Sequence, residues 1–200
     1  MSTALPLARD SRLVLASHNK GKLAEFSTLL NGYGITVISA GELGLPEPDE
    51  TATTFSGNAE LKALAAAKAA NLPALSDDSG LCVAALDGAP GIYSARWAGP
   101  EKDFADAMQR IETGIGSGSR DAWFICVLCL AFPDGTAHCF EGRIDGTIAP
   151  TPRGNEGHGY DPVFIPAGET RTFAEMSDAE KNRISHRARA FETFRAACLN

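Results

Sequence analysis

Short apolar runs alternate along this chain with stretches whose apolar residues recur every three or four positions. Arg12-Leu-Val-Leu-Ala16 is such a run and reads as a strand. Leu23, Phe26, Leu29 and Leu30 then fall on one helix face, and Gly32 and Gly34 end that helix. Ile35 to Ser39 returns as a second strand. A loop over 41–56 holds Pro46 and Pro48 and the acidic residues Glu47, Asp49 and Glu50. Asn58 to Ala70 is rich in alanine, which predicts a helix. Pro73-Ala-Leu-Ser76 predicts a strand whose end carries Asp77-Asp78-Ser79-Gly80.

The second half continues the alternation. Asp103 to Thr113 predicts a helix, and the glycine/serine tract 114–119 a flexible connector. Ala122 to Phe132 and Thr136 to Ile144 predict a hairpin turning at Pro133-Asp-Gly135. A glycine-rich loop over 153–159 leads into Tyr160-Asp-Pro-Val-Phe-Ile165. Ser177 and Glu180 form a capping box at the start of the last helical stretch. Strands alternating with helices, plus one hairpin, predict an α/β protein with a mixed sheet; the length of the chain predicts a single domain over 1–200 with two lobes.

Composition narrows the classes. The chain has 200 residues, 44% hydrophobic and 22% charged, with a formal net charge of −7. That fits a folded protein able to bury a core without staples. The acidic balance weighs against a protein that coats nucleic acid. No apolar run approaches the ~18 residues of a membrane span. Met1 to Arg12 lacks the apolar centre of a signal peptide, so a cytoplasmic protein is expected. Five cysteines at irregular spacing do not form a disulfide framework, and Cys126 and Cys129, inside an apolar run, are expected as buried free thiols.

Five segments carry candidate chemistry. Ser17-His-Asn-Lys-Gly-Lys22 lies between a strand and a helix, where free N–H groups and the helix dipole favour phosphate. It is not a Walker loop, because Gly21-Lys22 is followed by leucine and position 16 is alanine. Asp77 and Asp78 are adjacent carboxylates that need a positive partner, and Mg²⁺ is the usual one where phosphates are handled. In extended chain they face opposite sides, so one would hold the ion and the other support it. Glu50 offers a further ligand from the acidic loop. Gly157-His-Gly-Tyr-Asp161 combines close-approach glycines with the rings of His158 and Tyr160, flat surfaces for a base. Finally, Lys181 and Arg187 would lie ~120° apart on one unbroken helix. A break near Ser185 resolves this, with Phe191, Phe194 and Cys198 as the buried face of a new helix. His186 and Arg187 then sit at its positive end, a local conflict that an anionic ligand relieves. Each segment alone also reads as an ordinary solvated turn or helix; one magnesium–nucleotide site accounts for them together.

In order and content these segments resemble the inosine triphosphate pyrophosphatase family, bacterial dITP/XTP pyrophosphatases in particular. The resemblance rests on 17–26, on Glu50 with Thr54-Phe55 and Asn58-Ala59, on 76–81 and 88–96, on 157–164, and on Lys181 with Ser185-His-Arg187. It implies an elongated mixed β-sheet flanked by helices, with two lobes and a central active-site cleft. It also implies a homodimer that requires Mg²⁺ and cleaves ITP, dITP and XTP between the α and β phosphates. By the same resemblance Asp78 is general base and metal ligand, Glu50 a second ligand and Asp77 an acidic partner. Ser17, His18, Asn19, Lys20, Gly21, Lys22, Ser79, Lys181, His186 and Arg187 are substrate contacts. His158, Gly159, Tyr160 and Asp161 belong to the base pocket. His158 stands where the family commonly has phenylalanine or tryptophan, and His18 where glycine is frequent. The remaining readings are a related pyrophosphatase with another base preference, a non-catalytic nucleotide-binding module, and a nucleotidyl- or phosphotransferase.

Overall fold

The computed structural model describes residues 7–8, 10–18 and 20–199. In chain order the elements are β1 (Arg12–Leu15), α1 (Lys20–Asn31), β2 (Thr36–Ser39), α2 (Phe55–Ala70), β3 (Ala74–Val83) and α3 (Ser94–Trp97). They continue with α4 (Phe104–Ile115), β4 (Asp121–Ala131), β5 (Ala137–Ile148), β6 (Phe164–Pro166), α5 (Asp178–Ile184) and α6 (His186–Cys198). Six strands form one open sheet in the order β2-β1-β3-β4-β5-β6. β1 runs parallel to both β2 and β3, and β6 pairs antiparallel with β5. The sheet is therefore mixed, as the alternation of elements predicts. α1 and α2 are the crossovers that parallel neighbours require.

The caps explain where the helices start and stop. Thr54 is extended and its hydroxyl accepts the Gly57 N–H at 3.0 Å, so α2 begins at Phe55 rather than at Asn58. Gly57 has no room for a side chain, because a Cβ would lie 2.7 Å from that of Ala52. Asn71 ends α2 in the left-handed region at φ 52°. Ser177 and Glu180 cap α5 reciprocally, as expected. Ser185, at φ −63° and ψ 158°, breaks the helical stretch where the geometry of Lys181 and Arg187 demands it. Its hydroxyl then accepts the Ala188 N–H at 3.2 Å and starts α6.

The chain divides into two compact units. The first holds the chain through Asp78, Val127–Glu141 and the chain from Ala190 on; the second holds Ser79–Cys126 and Gly142–Arg189. In the first, Leu13, Val14, Leu15, Leu30 and Leu75 are buried together with a ring cluster. Phe191 lies 6.5 Å from Phe26 and 5.9 Å from Phe194, and Phe194 lies 5.5 Å from Phe140. The predicted buried face Phe191, Phe194 and Cys198 is borne out. Leu29 is not part of the α1 face: it is exposed, because ~60° of helical rotation carries it away from Phe26. In the second unit, Phe124, Phe164 and Phe173 form a triple cluster with centroids 4.7–6.1 Å apart. Leu81, Val83, Ile111, Ile144 and Ile148 complete that core.

Two further boundaries differ from the sequence reading. β3 does not end at Ser76 but runs through the acidic pair to Val83, and β5 reaches Ile148 rather than Ile144. Acidic residues suggest a turn when nothing compensates them, but both aspartates here have cationic partners. All five cysteines are free, and Cys126 and Cys129 are buried as expected. Among the described residues no helix is long and apolar enough to cross a membrane.

Phe164 is fully buried and touches both other rings of its cluster. Truncating it as Phe164→Ala should lower stability by ~3–5 kcal/mol. Urea unfolding should show a lower midpoint with an unchanged slope.

Candidate functional site

In the first unit, β1, α1, α2 and β3 bring cations and acids into contact. The Ala16 N–H bonds to the Leu75 carbonyl at 2.8 Å, which fixes the end of β1 beside β3. Two residues into α1, Lys22 reaches back to Asp77, with Nζ 2.8 and 2.7 Å from its two carboxylate oxygens. Asp77 is almost wholly buried, so this pair holds the helix start against the strand.

Asp78 points the other way, as strand alternation requires. Its Oδ2 accepts from Asn58 Nδ2 at 3.3 Å, and Asn58 Oδ1 accepts the Ala52 N–H at 3.0 Å. Asn58 thereby ties the acidic loop to the strand. Lys62 lies between two acids: its Nζ is 2.6 Å from Glu50 Oε1 and 3.8 Å from Asp78 Oδ1. Lys62 is only 8% exposed. It also lines a small recess with Ala16, His18, Leu45 and Glu47.

The electrostatics of this group are uneven. Burial pushes the Asp78 carboxyl up to about 6, with the charges of Glu50 and Asp77 adding to the rise. The charge of Lys62 and the bond from Asn58 oppose it but do not prevail. Burial by itself lowers the pKa of a lysine, yet Lys62 is held above its ordinary value by its bond to Glu50 and by the nearby carboxylates. Lys62 sits nearer Glu50 than Asp78. The imbalance therefore falls on Asp78, a strand carboxyl tuned toward neutral pH.

The expected metal ligands separate by contact. Glu50 and Asp78 share Lys62, while Asp77 is engaged by Lys22 on the opposite side of β3. Among the described residues no group of three or more His, Cys, Asp or Glu side chains is placed to hold an ion. The donor set still fits Mg²⁺, which binds through one or two carboxylates with substrate phosphates and water completing its shell.

Other members of the expected phosphate loop are placed less centrally. His18 is partly exposed, with Nε2 3.0 Å from the Leu45 carbonyl and Nδ1 3.8 Å from Glu47. Asn19 and the side chains at Lys20 and Gly21 lie outside the described residues, as α1 begins at Lys20. Ser17 caps the end of β1, its N–H bonded to the Leu15 carbonyl at 2.8 Å.

The second unit holds the remaining expected residues. Ser79 is half-buried within β3. Asp161 is buried and accepts the His158 N–H at 2.8 Å. It also forms a short ion pair with Lys181, whose ammonium lies 5.4 Å above the Phe173 ring. Gly157, at φ 72°, must lack a side chain, since a Cβ would lie 2.3 Å from the Asp161 carboxylate. Asp161 is thus a clamp that joins the 157–161 turn to α5. His158 itself is exposed, with its ring on the surface of that turn.

Tyr160 requires a correction as a stacking surface for a base. Its ring is buried edge-on against Phe104 at 5.2 Å, and its hydroxyl donates to the Ser94 carbonyl at 2.8 Å. Burial raises its pKa to about 12. Both ends of the side chain serve the core. His186, next to Ser185 in the chain, stacks on Phe124 with centroids 4.7 Å apart and planes at 10°. That stack fixes the start of α6, which carries Arg187 beside it.

Sequence reasoning missed Lys62 and Ser94 and gave Asn58 no role. The signal for the first existed: Asn58, Ala59, Lys62, Ala63, Ala66 and Ala67 form the buried stripe of α2, and a lysine within such a stripe needs an acid opposite it. Ser94 left no such signal. Its hydroxyl accepts the Leu81 N–H at 2.9 Å and donates to the Gly91 carbonyl at 2.6 Å, tying β3 to the 88–96 segment.

Comparison with known proteins then places the chain. A model of the Ham1 family matches residues 13–197. The chain belongs to the Ham1 family. A dITP/XTP pyrophosphatase of Gluconobacter oxydans is 60% identical over 195 residues, covering 97% of this chain and 94% of the relative. One from Caulobacter vibrioides is 55% identical, covering 95% and 99%. The solved structure of a HAM1 protein from Coxiella burnetii superposes with a TM-score of 0.89 at 41% identity, covering 93% of this chain and 97% of that one. Apart from Arg12 at the start of β1, the sheet and both sets of polar residues fall inside the matched family region.

The displaced pKa of Asp78 has a consequence for stability. The carboxyl sits at about 6 in the fold against 3.8 in the free chain, so ionising it opposes folding. Its favourable contribution is complete below pH ~4 and is lost as pH rises through ~6, at most ~3 kcal/mol for the metal-free protein. Asp78→Asn should therefore raise the melting temperature of the metal-free protein above pH 6. The two melting curves should converge below pH 4, as thermal melts across that range will read.

Proposed function

We propose that this chain is a nucleoside triphosphate pyrophosphatase acting on aberrant purine nucleotides, ITP, dITP and XTP. Hydrolysis at the α–β phosphoanhydride gives the monophosphate and pyrophosphate, which removes deaminated purines from the precursors of DNA and RNA. The reading rests on its Ham1 relatives, named dITP/XTP pyrophosphatases at 54–60% identity. One structural observation carries the chemistry: Glu50 and Asp78 converge on the buried ammonium of Lys62.

A triphosphate brings roughly four negative charges near neutral pH. Lys22 and Lys62, with the start of α1, supply positive charge where phosphate oxygens would gather. Glu50 and Asp78 provide the hard oxygen donors that Mg²⁺ takes; when bound, the ion neutralises phosphate charge and makes water a better nucleophile. Asp78, with its pKa near 6, is mostly ionised at neutral pH and accepts the proton of the attacking water. Asp77, committed to Lys22, steadies the strand rather than sharing that proton.

Base recognition draws on Arg187 and the exposed ring of His158. A 6-keto purine presents an acceptor to a donor, whereas a 6-amino purine leaves that donor unmatched. The His158 N–H is already engaged by Asp161, which shifts this role from the turn's backbone toward the side chains. A homodimer in the cytoplasm is part of the same proposal.

The deciding experiment compares ITP, XTP, dITP, ATP, GTP and dTTP with Mg²⁺, following pyrophosphate and orthophosphate separately. Pyrophosphate should appear from ITP, dITP and XTP, with ATP slower by roughly 10²-fold or more. Chelation of the ion should abolish release. Direct formation of orthophosphate would rule out cleavage between the α and β phosphates, and binding without product would leave a nucleotide-binding module. Asp78→Asn should reduce turnover by ~10²–10⁴-fold while keeping the fold intact by circular dichroism.

A further inference from the structure

The hairpin of β4 and β5 places two cysteines opposite one another. At its turn the Gly135 N–H donates to the Phe132 carbonyl at 3.0 Å, and the Phe132 N–H donates to the Thr136 carbonyl at 2.8 Å. Phe132 therefore faces Thr136. Counting back along antiparallel strands sets Ala131 against Ala137, Leu130 against His138, and Cys129 against Cys139. Hydrogen-bonded and non-hydrogen-bonded pairs alternate, so the two cysteines occupy a non-hydrogen-bonded position. Such partners have Cα atoms ~4.5 Å apart and side chains on the same face. That separation lies within the ~4.4–6.8 Å that a disulfide spans. The two thiols are close enough to shift each other's proton affinity in opposite directions. Cys129 is buried and Cys139 exposed.

We propose that Cys129 and Cys139 form a redox-active pair, which hydrogen peroxide converts to a cross-strand disulfide and a small dithiol restores.

The two sulfurs differ in the way such chemistry needs. The Cys129 thiol donates to Cys139 and lowers its pKa; the Ser56 side chain also favours the thiolate, while burial and the charge of Glu60 work against it. The same bond, together with burial, raises the pKa of Cys129. Cys139 is thus the accessible thiol that ionises the more readily, and Cys129 the partner that keeps its proton beside it. In the first step the Cys139 thiolate attacks a peroxide oxygen. An S–O bond forms, the O–O bond breaks, and the departing oxygen leaves as water after taking a proton. Cys139 becomes a sulfenic acid. In the second step Cys129 attacks that sulfur. The S–S bond forms, the S–O bond breaks, and hydroxide leaves with the Cys129 proton as a second water. Two thiols are oxidised and one peroxide is reduced to two waters. Cys139 also lies against the first turn of α2, its Sγ 3.9 Å from the Ser56 carbonyl oxygen.

The test treats the reduced full-length protein with hydrogen peroxide at neutral pH, alkylates it after denaturation, and maps the peptides. One linked pair containing Cys129 and Cys139 is expected, two hydrogens lighter than the reduced peptides, with Cys82, Cys126 and Cys198 fully alkylated. Dithiothreitol should restore all five thiols. In Cys129→Ala, Cys139 should be captured as a sulfenic acid by dimedone; should that variant not fold, the wild-type map decides alone. Cys139 found in a link between two chains, or as sulfinic acid with Cys129 still alkylated, would overturn the proposal.

Discussion

The polar architecture of the first unit depends on burying the ammonium of Lys62 against two carboxylates. A lysine in the interior is tolerated only when paired. Here the pairing is unequal, 2.6 Å to Glu50 and 3.8 Å to Asp78. That inequality fixes the acidic loop to α2 through Glu50 and leaves Asp78 as the carboxyl displaced toward neutral pH. Asn58, one helical turn earlier on the same stripe, steadies both the loop and the strand carboxyl. Two residues of one helix therefore define where an ion and a phosphate chain would be received.

A division of labour follows between neighbouring acids. Asp77 and Asp78 are adjacent in sequence, yet strand geometry sends them to different partners. Asp77 meets Lys22 and becomes structural. Asp78 meets Asn58 and Lys62, and its pKa is displaced toward neutral pH. In the second unit Asp161 behaves like Asp77: buried and ion-paired to Lys181, it shapes the 157–161 turn. Among these three buried aspartates, the two held in close ion pairs hold the framework, and Asp78, the less closely paired, is the candidate for proton transfer.

Rings divide in the same way. The sequence suggests Tyr160 as a stacking ring and His186 as a substrate contact, but each is part of an aromatic contact within its own core, against Phe104 and Phe124. His158 is the ring left on the surface of the turn. Packing thus decides which aromatic group of a motif can meet a ligand, and the motif's composition does not.

From the sequence alone one can read the alternating α/β architecture, the hairpin turn, the capping box at Ser177 and the break at Ser185. Each depends on local chemistry: the period of apolar residues, a proline–glycine turn, a hydroxyl three residues from a carboxylate. The segments that hold Glu50, the two aspartates and the basic α6 start were legible for the same reason. Tertiary structure alone decided the partners. Nothing local links Lys62 to Glu50 twelve residues away, Lys22 to Asp77, or Ser94 to Leu81, since those contacts exist only once strands and helices have paired. The extension of β3 through its acidic residues belongs with them. Two carboxylates can remain in a buried strand because distant lysines and an asparagine supply what their immediate neighbours do not.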